Sequence, residues 1–206
     1  MCPMIHRRHI LMLGAAMLVS ACATDTPIPG PVPDVGFQHL TPIRLNVSTV
    51  KVTNAYQSPL KAPNAEHRFP TPPSQALQAW ARSRLQAVGG PANGAVVEFI
   101  VEEASVIETP LKKTEGLKGL FTYEPTARYD ATAVAHVTVK NGENGASGET
   151  RVTATRSVEV SENATLAQRE HAWFTMIEAL MDDFNTQMEK QINGYLARWL
   201  ETPGLK

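Results

Sequence analysis

Apolar residues recur along this chain with two periods, one of two and one of three to four, and the order of those periods predicts the fold. In IRLNVSTVKVTNAY, residues 43–56, Leu45 and Val47 share one parity and Val50 and Val52 the other. A strand with a bulge near Ser48 and Thr49 would bring all four to one face. QSPLKAPNAEHRFPTPP follows, and its five prolines predict an irregular loop. Thr71 or Ser74 can then cap a helix of about four turns, on which Leu77, Trp80, Ala81, Leu85 and Val88 recur at helical spacing before Gly89-Gly90 ends it. GAVVEFIVEEASVIETPL, residues 94–111, reads as a second strand with Val97, Phe99 and Val101 on one face.

The alternation is clearest after residue 127. Ala131, Ala133, Ala135, Val137 and Val139 share a parity, a turn rich in glycine and asparagine intervenes, and Val152, Ala154, Val158 and Val160 resume, which predicts a hairpin. Gly142, Gly145 and Gly148 read as turn residues. So many alanines on one face predict a helix packed close against the sheet. Thr165 with Gln168 forms a capping-box pattern that opens a long helix. Its stripe runs Leu166, Trp173, Ile177, Leu180, Phe184, Met188, Ile192, Tyr195 and Trp199. Such a helix would exceed about 50 Å, so either Asn193-Gly194 bends it or its end projects. The predicted order is β-α-β-β-β-α. An α+β two-layer sandwich, with a mainly antiparallel sheet of about four strands and two helices on one face, buries all these stripes together. The domain is expected to span residues 43–202.

The first 42 residues follow neither period. Arg7 and Arg8 precede an apolar run from Ile10 to Val19, the charged and apolar regions of a signal peptide covering residues 1–21. Thr24, Asp25 and Pro27 stop the run well short of the roughly 20 apolar residues that a membrane-spanning helix needs. Val19-Ser20-Ala21-Cys22 resembles the lipobox of bacterial lipoproteins. That resemblance implies cleavage before Cys22, a diacylglyceryl group on its sulfur and a further acyl chain, typically palmitate, on its new amino terminus. Two or three chains anchor a protein where one does not. Ala23 behind the cysteine, in place of an aspartate, resembles an outer-membrane sorting pattern. The competing readings are an ordinary signal peptide with an incidental cysteine, or a buried amino-terminal helix. Residues 22–42 carry Pro27, Pro29, Pro31, Pro33 and Pro42 and read as an extended lipidated tether, with a proline-rich ligand as the sharper alternative.

Removing 21 of 206 residues leaves 185, enough for one domain plus a tether, and the hydrophobic content of 43% supplies a core. With Arg7 and Arg8 gone, 17 basic residues face 20 acidic ones, a net charge of −3 that is no signature of nucleic-acid binding. Cys2 leaves with the signal and Cys22 carries lipid, so disulfides and thiol chemistry are excluded for the mature chain.

Candidate chemistry is sparse. His39, His67, His136 and His171 are scattered and match no helical metal-binding spacing. His136 is opposite in parity to Val137, which places it on a solvent face. The pairs Glu102-Glu103 and Asp182-Asp183 diverge in direction on strand or helix, so neither is a catalytic dyad by itself. No nucleophile elbow, phosphate-binding loop or dinucleotide fingerprint is present, and no metal or other cofactor is expected. One segment stands apart. PLKKTEGLKGLFTYEPTARY, between the second and third strands, is longer than a hairpin needs and sets Leu117, Leu120, Phe121 and Tyr123 beside Lys112, Lys113 and Lys118. It either folds back on the core or touches a partner, lipid or membrane.

The lipobox at Cys22, the tether and the β-α-β-β-β-α order together resemble the auxiliary lipoproteins of ABC-type envelope transporters, and more distantly the lipoprotein of lipopolysaccharide assembly. The resemblance lies in element order; only Cys22 matches a defined functional position, and the long loop departs from it. It implies a non-catalytic, periplasm-facing module that docks on transporter subunits while held to the membrane by lipid. A structural lipoprotein that self-associates through its last helix is the alternative. An enzyme would require His67 to meet carboxylates distant in sequence.

Overall fold

A computed structural model describes residues 35–89, 94–111, 125–140, 145–161 and 163–201. Two short strands open the domain, β1 (Ile43–Leu45) and β2 (Thr49–Asn54). Helix α1 (Pro73–Arg84) and strand β3 (Leu85–Ala87) follow. Three long strands, β4 (Val96–Pro110), β5 (Pro125–Lys140) and β6 (Ser147–Ser161), precede helix α2 (Leu166–Tyr195). The four-stranded sheet runs β2-β4-β5-β6, with β4, β5 and β6 antiparallel and β2 parallel to β4. Parallel neighbours need a crossover, and α1 lies within it. Trp80 of α1 and Phe184 of α2 meet Phe99 of β4 at 5.6 and 6.2 Å between ring centroids, and each other at 5.2 Å. Both helices therefore cover one face, as the α+β sandwich requires.

The alternation predicted for the hairpin is the one observed. Ala131, Ala133, Ala135, Val137, Val139, Val152, Ala154 and Val160 are buried, and both helices contact β5. The capping box of α2 also forms, with Gln168 N donating to Thr165 Oγ1 at 3.2 Å and Thr165 N to Gln168 Oε1 at 2.9 Å.

Local details differ from the expectations. The break near Ser48 is not a bulge in one strand but a passage between two sheets, because β1 pairs in parallel with β3 while β2 joins the main sheet. Leu45 and Val47 are nonetheless fully buried, with Val50 and Val52 packed beside them. Helix α1 stops a turn early: Leu85–Ala87 pairs with β1, where satisfying an open strand edge outweighs another helical turn. Neither Thr71 nor Ser74 caps α1; Pro72 holds the cap position, and Pro73 occupies a first-turn site that needs no N–H donor. In β4 the register shifts between Val101 and Glu103, so the inward parity changes from Val97, Phe99 and Val101 to Ala104 and Val106.

The end of α2 differs as well. The helix neither bends at Asn193-Gly194 nor projects; it ends at Tyr195, and a 3-10 turn at Ala197–Trp199 folds the chain back. Asn46 N donates to Trp199 O at 2.6 Å and Glu201 N to Arg44 O at 2.9 Å, which makes the terminal segment a strap across β1. Leu166 and Tyr195, the two ends of the predicted stripe, are exposed, whereas Trp173, Ile177, Leu180, Phe184, Met188, Ile192 and Trp199 are buried within the chain. Gly148 lies in β6 rather than in the turn. A Cβ there would sit 2.5 Å from Trp199 Cζ3 and 2.7 Å from Leu196 Cδ2. Packing onto the core starts before residue 43, with Phe37 buried and Val35 and Leu40 beside it.

Candidate functional site

The residues singled out from the sequence for lipidation and contact, Cys22, Leu117, Leu120, Phe121 and Tyr123, lie outside the described residues. The structure does describe the platform from which the 112–124 segment departs. Strands β4 and β5 stay paired to their ends there, with Leu111 N donating to Thr126 O at 2.8 Å. Beside that base is a cavity of about 310 Å³ lined in part by Glu108, Tyr129, Val160 and Arg169.

An aromatic and charged cluster lies beside it and shares Glu108 and Tyr129 with its lining. Phe69 stacks on Trp173 at 4.5 Å and 15°, and the edge of Tyr129 packs against Trp173 at 5.3 Å. The Arg68 guanidinium lies 6.0 Å from the Tyr129 ring centre and 5.9 Å from that of Trp173, and pairs with Glu108. Tyr129 donates its hydroxyl to the same carboxylate at 2.7 Å. Burial, reinforced by Glu108, pushes the Tyr129 phenol above its ordinary pKa. Among the described residues, Arg169 Nε and Trp173 Nε1 are buried without a hydrogen-bond partner. Phe69 and Arg68 come from the proline-rich loop, where neither period could reveal that Phe69 belongs to the core.

A second feature invisible to periodicity is Glu66, only 2% exposed. Its carboxylate accepts hydrogen bonds from Tyr56 Oη at 2.8 Å, Ser58 Oγ at 2.5 Å, Val106 N at 3.2 Å and Asn64 Nδ2 at 3.5 Å. Desolvation pushes its pKa upward, but these donors outweigh that effect and hold it below the ordinary carboxylate value. The same burial and the facing carboxylate push the Tyr56 phenol upward. Glu66 thus ties the loop to β4 just beyond the bulge and holds Phe69 over Trp173.

On the helix-free face the bulged Glu102 meets Arg151 Nε at 2.6 Å and His136 Nδ1 at 2.9 Å. The hydrogen bond from Arg151 holds the Glu102 carboxyl below its ordinary pKa against partial desolvation. The carboxylate pairs do diverge: Glu103 accepts from Ser105 Oγ at 2.8 Å on its own strand, and Asp183, not Asp182, pairs with Arg156 at 2.5 Å. His39, His67 and His171 are exposed and separate. Among the described residues no group of three histidine, cysteine or acidic side chains could hold a metal ion, and no helix is long and apolar enough to cross a membrane.

No protein-family model matches the chain, and no curated protein matches it in sequence. Among solved structures, it is similar to rare lipoprotein B from Shewanella oneidensis at 11% identity and a TM-score of 0.33, over 70% of this chain and 97% of that one. A DUF330 protein from Xanthomonas campestris aligns at 11% identity and a TM-score of 0.34, over 75% and 89% of the two chains. A dodecameric PelC from Paraburkholderia phytofirmans aligns at 16% identity and a TM-score of 0.19, over 74% and 91%.

Proposed function

We propose that this chain is a non-catalytic lipoprotein of the bacterial envelope, acylated on Cys22 and held at the outer membrane facing the periplasm. The observation that carries this reading is the order of Arg7 and Arg8, the apolar run from Ile10 to Val19, and Val19-Ser20-Ala21-Cys22. Each part supplies one chemical requirement of export and acylation. The arginines give the charge that orients the segment, the apolar stretch enters the export machinery, the small residues fit a peptidase and the thiol takes the lipid. The domain serves as an accessory or assembly module of an envelope lipid-transport complex. Its contact surface is the 112–124 segment, with Leu117, Leu120, Phe121 and Tyr123 reaching a partner or lipid from the rigid base built by β4, β5, Phe69 and Trp173.

The test compares the wild type with Cys22→Ser in native envelopes, by fractionation, mass spectrometry of the mature terminus and crosslinking pull-down. The wild type is expected in the outer-membrane fraction with acyl chains on residue 22 and a transporter subunit attached, and the variant in the soluble periplasm. An unacylated mature terminus, or a wild type that stays soluble after export, refutes the anchor. Phe121→Asp is expected to keep the melting temperature while losing the partner; an unaltered pull-down refutes the contact role of the segment.

A further inference from the structure

Strand β6 is the outer strand of the sheet, bonded to β5 along one side. Among the described residues nothing pairs with its other side. At 15 residues it is far longer than the usual strand of about five or six. Such an edge offers a row of free N–H and C=O groups as a template for another strand. Proline, bulges or short length usually blunt an edge. Here β6 has no proline, and its ladder with β5 is regular from Ala127 to Lys140.

We propose that β6 pairs antiparallel with β6 of a second copy of this chain, about a two-fold axis at Thr155, so that the two four-stranded sheets join into one. Length of overlap and charge together select the register: an axis at Thr150 would also set Glu149 opposite Arg151 but overlaps only residues 147–153, and among the central axes charge decides. Residues directly opposite in an antiparallel pair share a face, so their numbers sum to twice that of the residue on the axis. With Ala154 on the axis, Glu149 meets Glu159. With Arg156 there, it meets itself. With Thr153 there, no opposite charges meet.

With Thr155 on the axis, Arg151 meets Glu159 of the second copy at both symmetry-related places, Thr153 meets Ser157 and Val152 meets Val158. Arg151 and Glu159 are both exposed on the helix-free face. Arg151 bonds Glu102 through Nε, and its side chain is otherwise 57% exposed, free to reach across. Arg156, which this register sets opposite Ala154, is drawn back to Asp183 of α2 at 2.5 Å, so no guanidinium is aimed across the edge unpaired. Self-association then uses a strand edge and not the last helix, whose apolar stripe from Trp173 to Ile192 is buried inside the chain.

The experiment expresses Thr155→Cys from the whole sequence and oxidises it mildly in native envelopes, with the wild type, whose processed form keeps only the lipidated Cys22, as the blank. Opposite residues of an antiparallel pair have Cα atoms about 4.5–5.5 Å apart, within disulfide reach. Thr155→Cys is expected to trap a dimer of twice the chain mass. Thr132→Cys, on the neighbouring strand opposite Thr155, lies too far from its mate and is expected to trap none. Glu159→Arg should weaken the dimer about tenfold in detergent sedimentation, since two attractive pairs become repulsive. A Thr155→Cys chain that stays monomeric, as it would with its own tether laid on the edge, overturns the proposal. So does a crosslink to a protein of different mass, equal trapping at position 132, or an unchanged dimer constant for Glu159→Arg in a variant that melts like the wild type.

Discussion

Replacing Gly148 by alanine adds one methyl group where the chain has left no room for it. The new Cβ would lie 2.5 Å from Trp199 Cζ3, 2.8 Å from Trp199 Cη2 and 2.7 Å from Leu196 Cδ2. Carbon atoms rest at about 3.5–4.0 Å, so the neighbours must retreat by roughly 1 Å. Neither can do so freely. Leu196 is fully buried and Trp199 nearly so, and Trp199 is held on both sides, its N donating to Leu196 O at 2.9 Å and its O accepting from Asn46 N at 2.6 Å. Moving the indole therefore pulls the terminal strap from β1. Overpacking of this kind costs about 1–3 kcal/mol. In a domain of this size that lowers Tm by roughly 3–10 °C. The assay is thermal unfolding of wild type, Gly148→Ala, Trp199→Ala and the double variant. In the Trp199→Ala background most of the indole is gone, and the cost of the methyl group should fall by about half or more. Additive costs, or a Gly148→Ala protein that melts with the wild type, would refute the reasoning.

Two other predictions concern polar groups. Because Glu66 titrates below its ordinary value of 4.5 in the folded chain, its contribution to stability is complete above the unfolded pKa and is lost as pH falls through the folded one. Glu66→Gln should cost about 1–3 kcal/mol at neutral pH, with a deficit that narrows in acid; a deficit equally large at pH 7 and pH 3, read from urea midpoints, would contradict the cage. Thr165→Ala removes the acceptor for Gln168 N and should destabilise by about 0.5–2 kcal/mol. Amide exchange should quicken in the first turn of α2 and stay unchanged near Ile192; uniform quickening along the helix would count against a local cap.

Sequence periodicity by itself determined the class of the fold, because inward parity and helical stripes are consequences of burial on one face. The alanines of β5, the valines of β6, the Thr165–Gln168 cap and the central stripe of α2 are all local patterns of this kind. Local patterns also carry the reading of Cys22 and its flanks, since export and acylation act on a linear segment. What only the tertiary structure decided involves partners far apart along the chain. Leu85–Ala87 became a strand because β1 offered it an edge; α2 ended where Trp199 could fold over Gly148; and Glu66, Arg68 and Phe69 left a proline-rich loop to meet Tyr56, Glu108 and Trp173. Periodicity records which way a side chain points, and these outcomes depended on what it meets there.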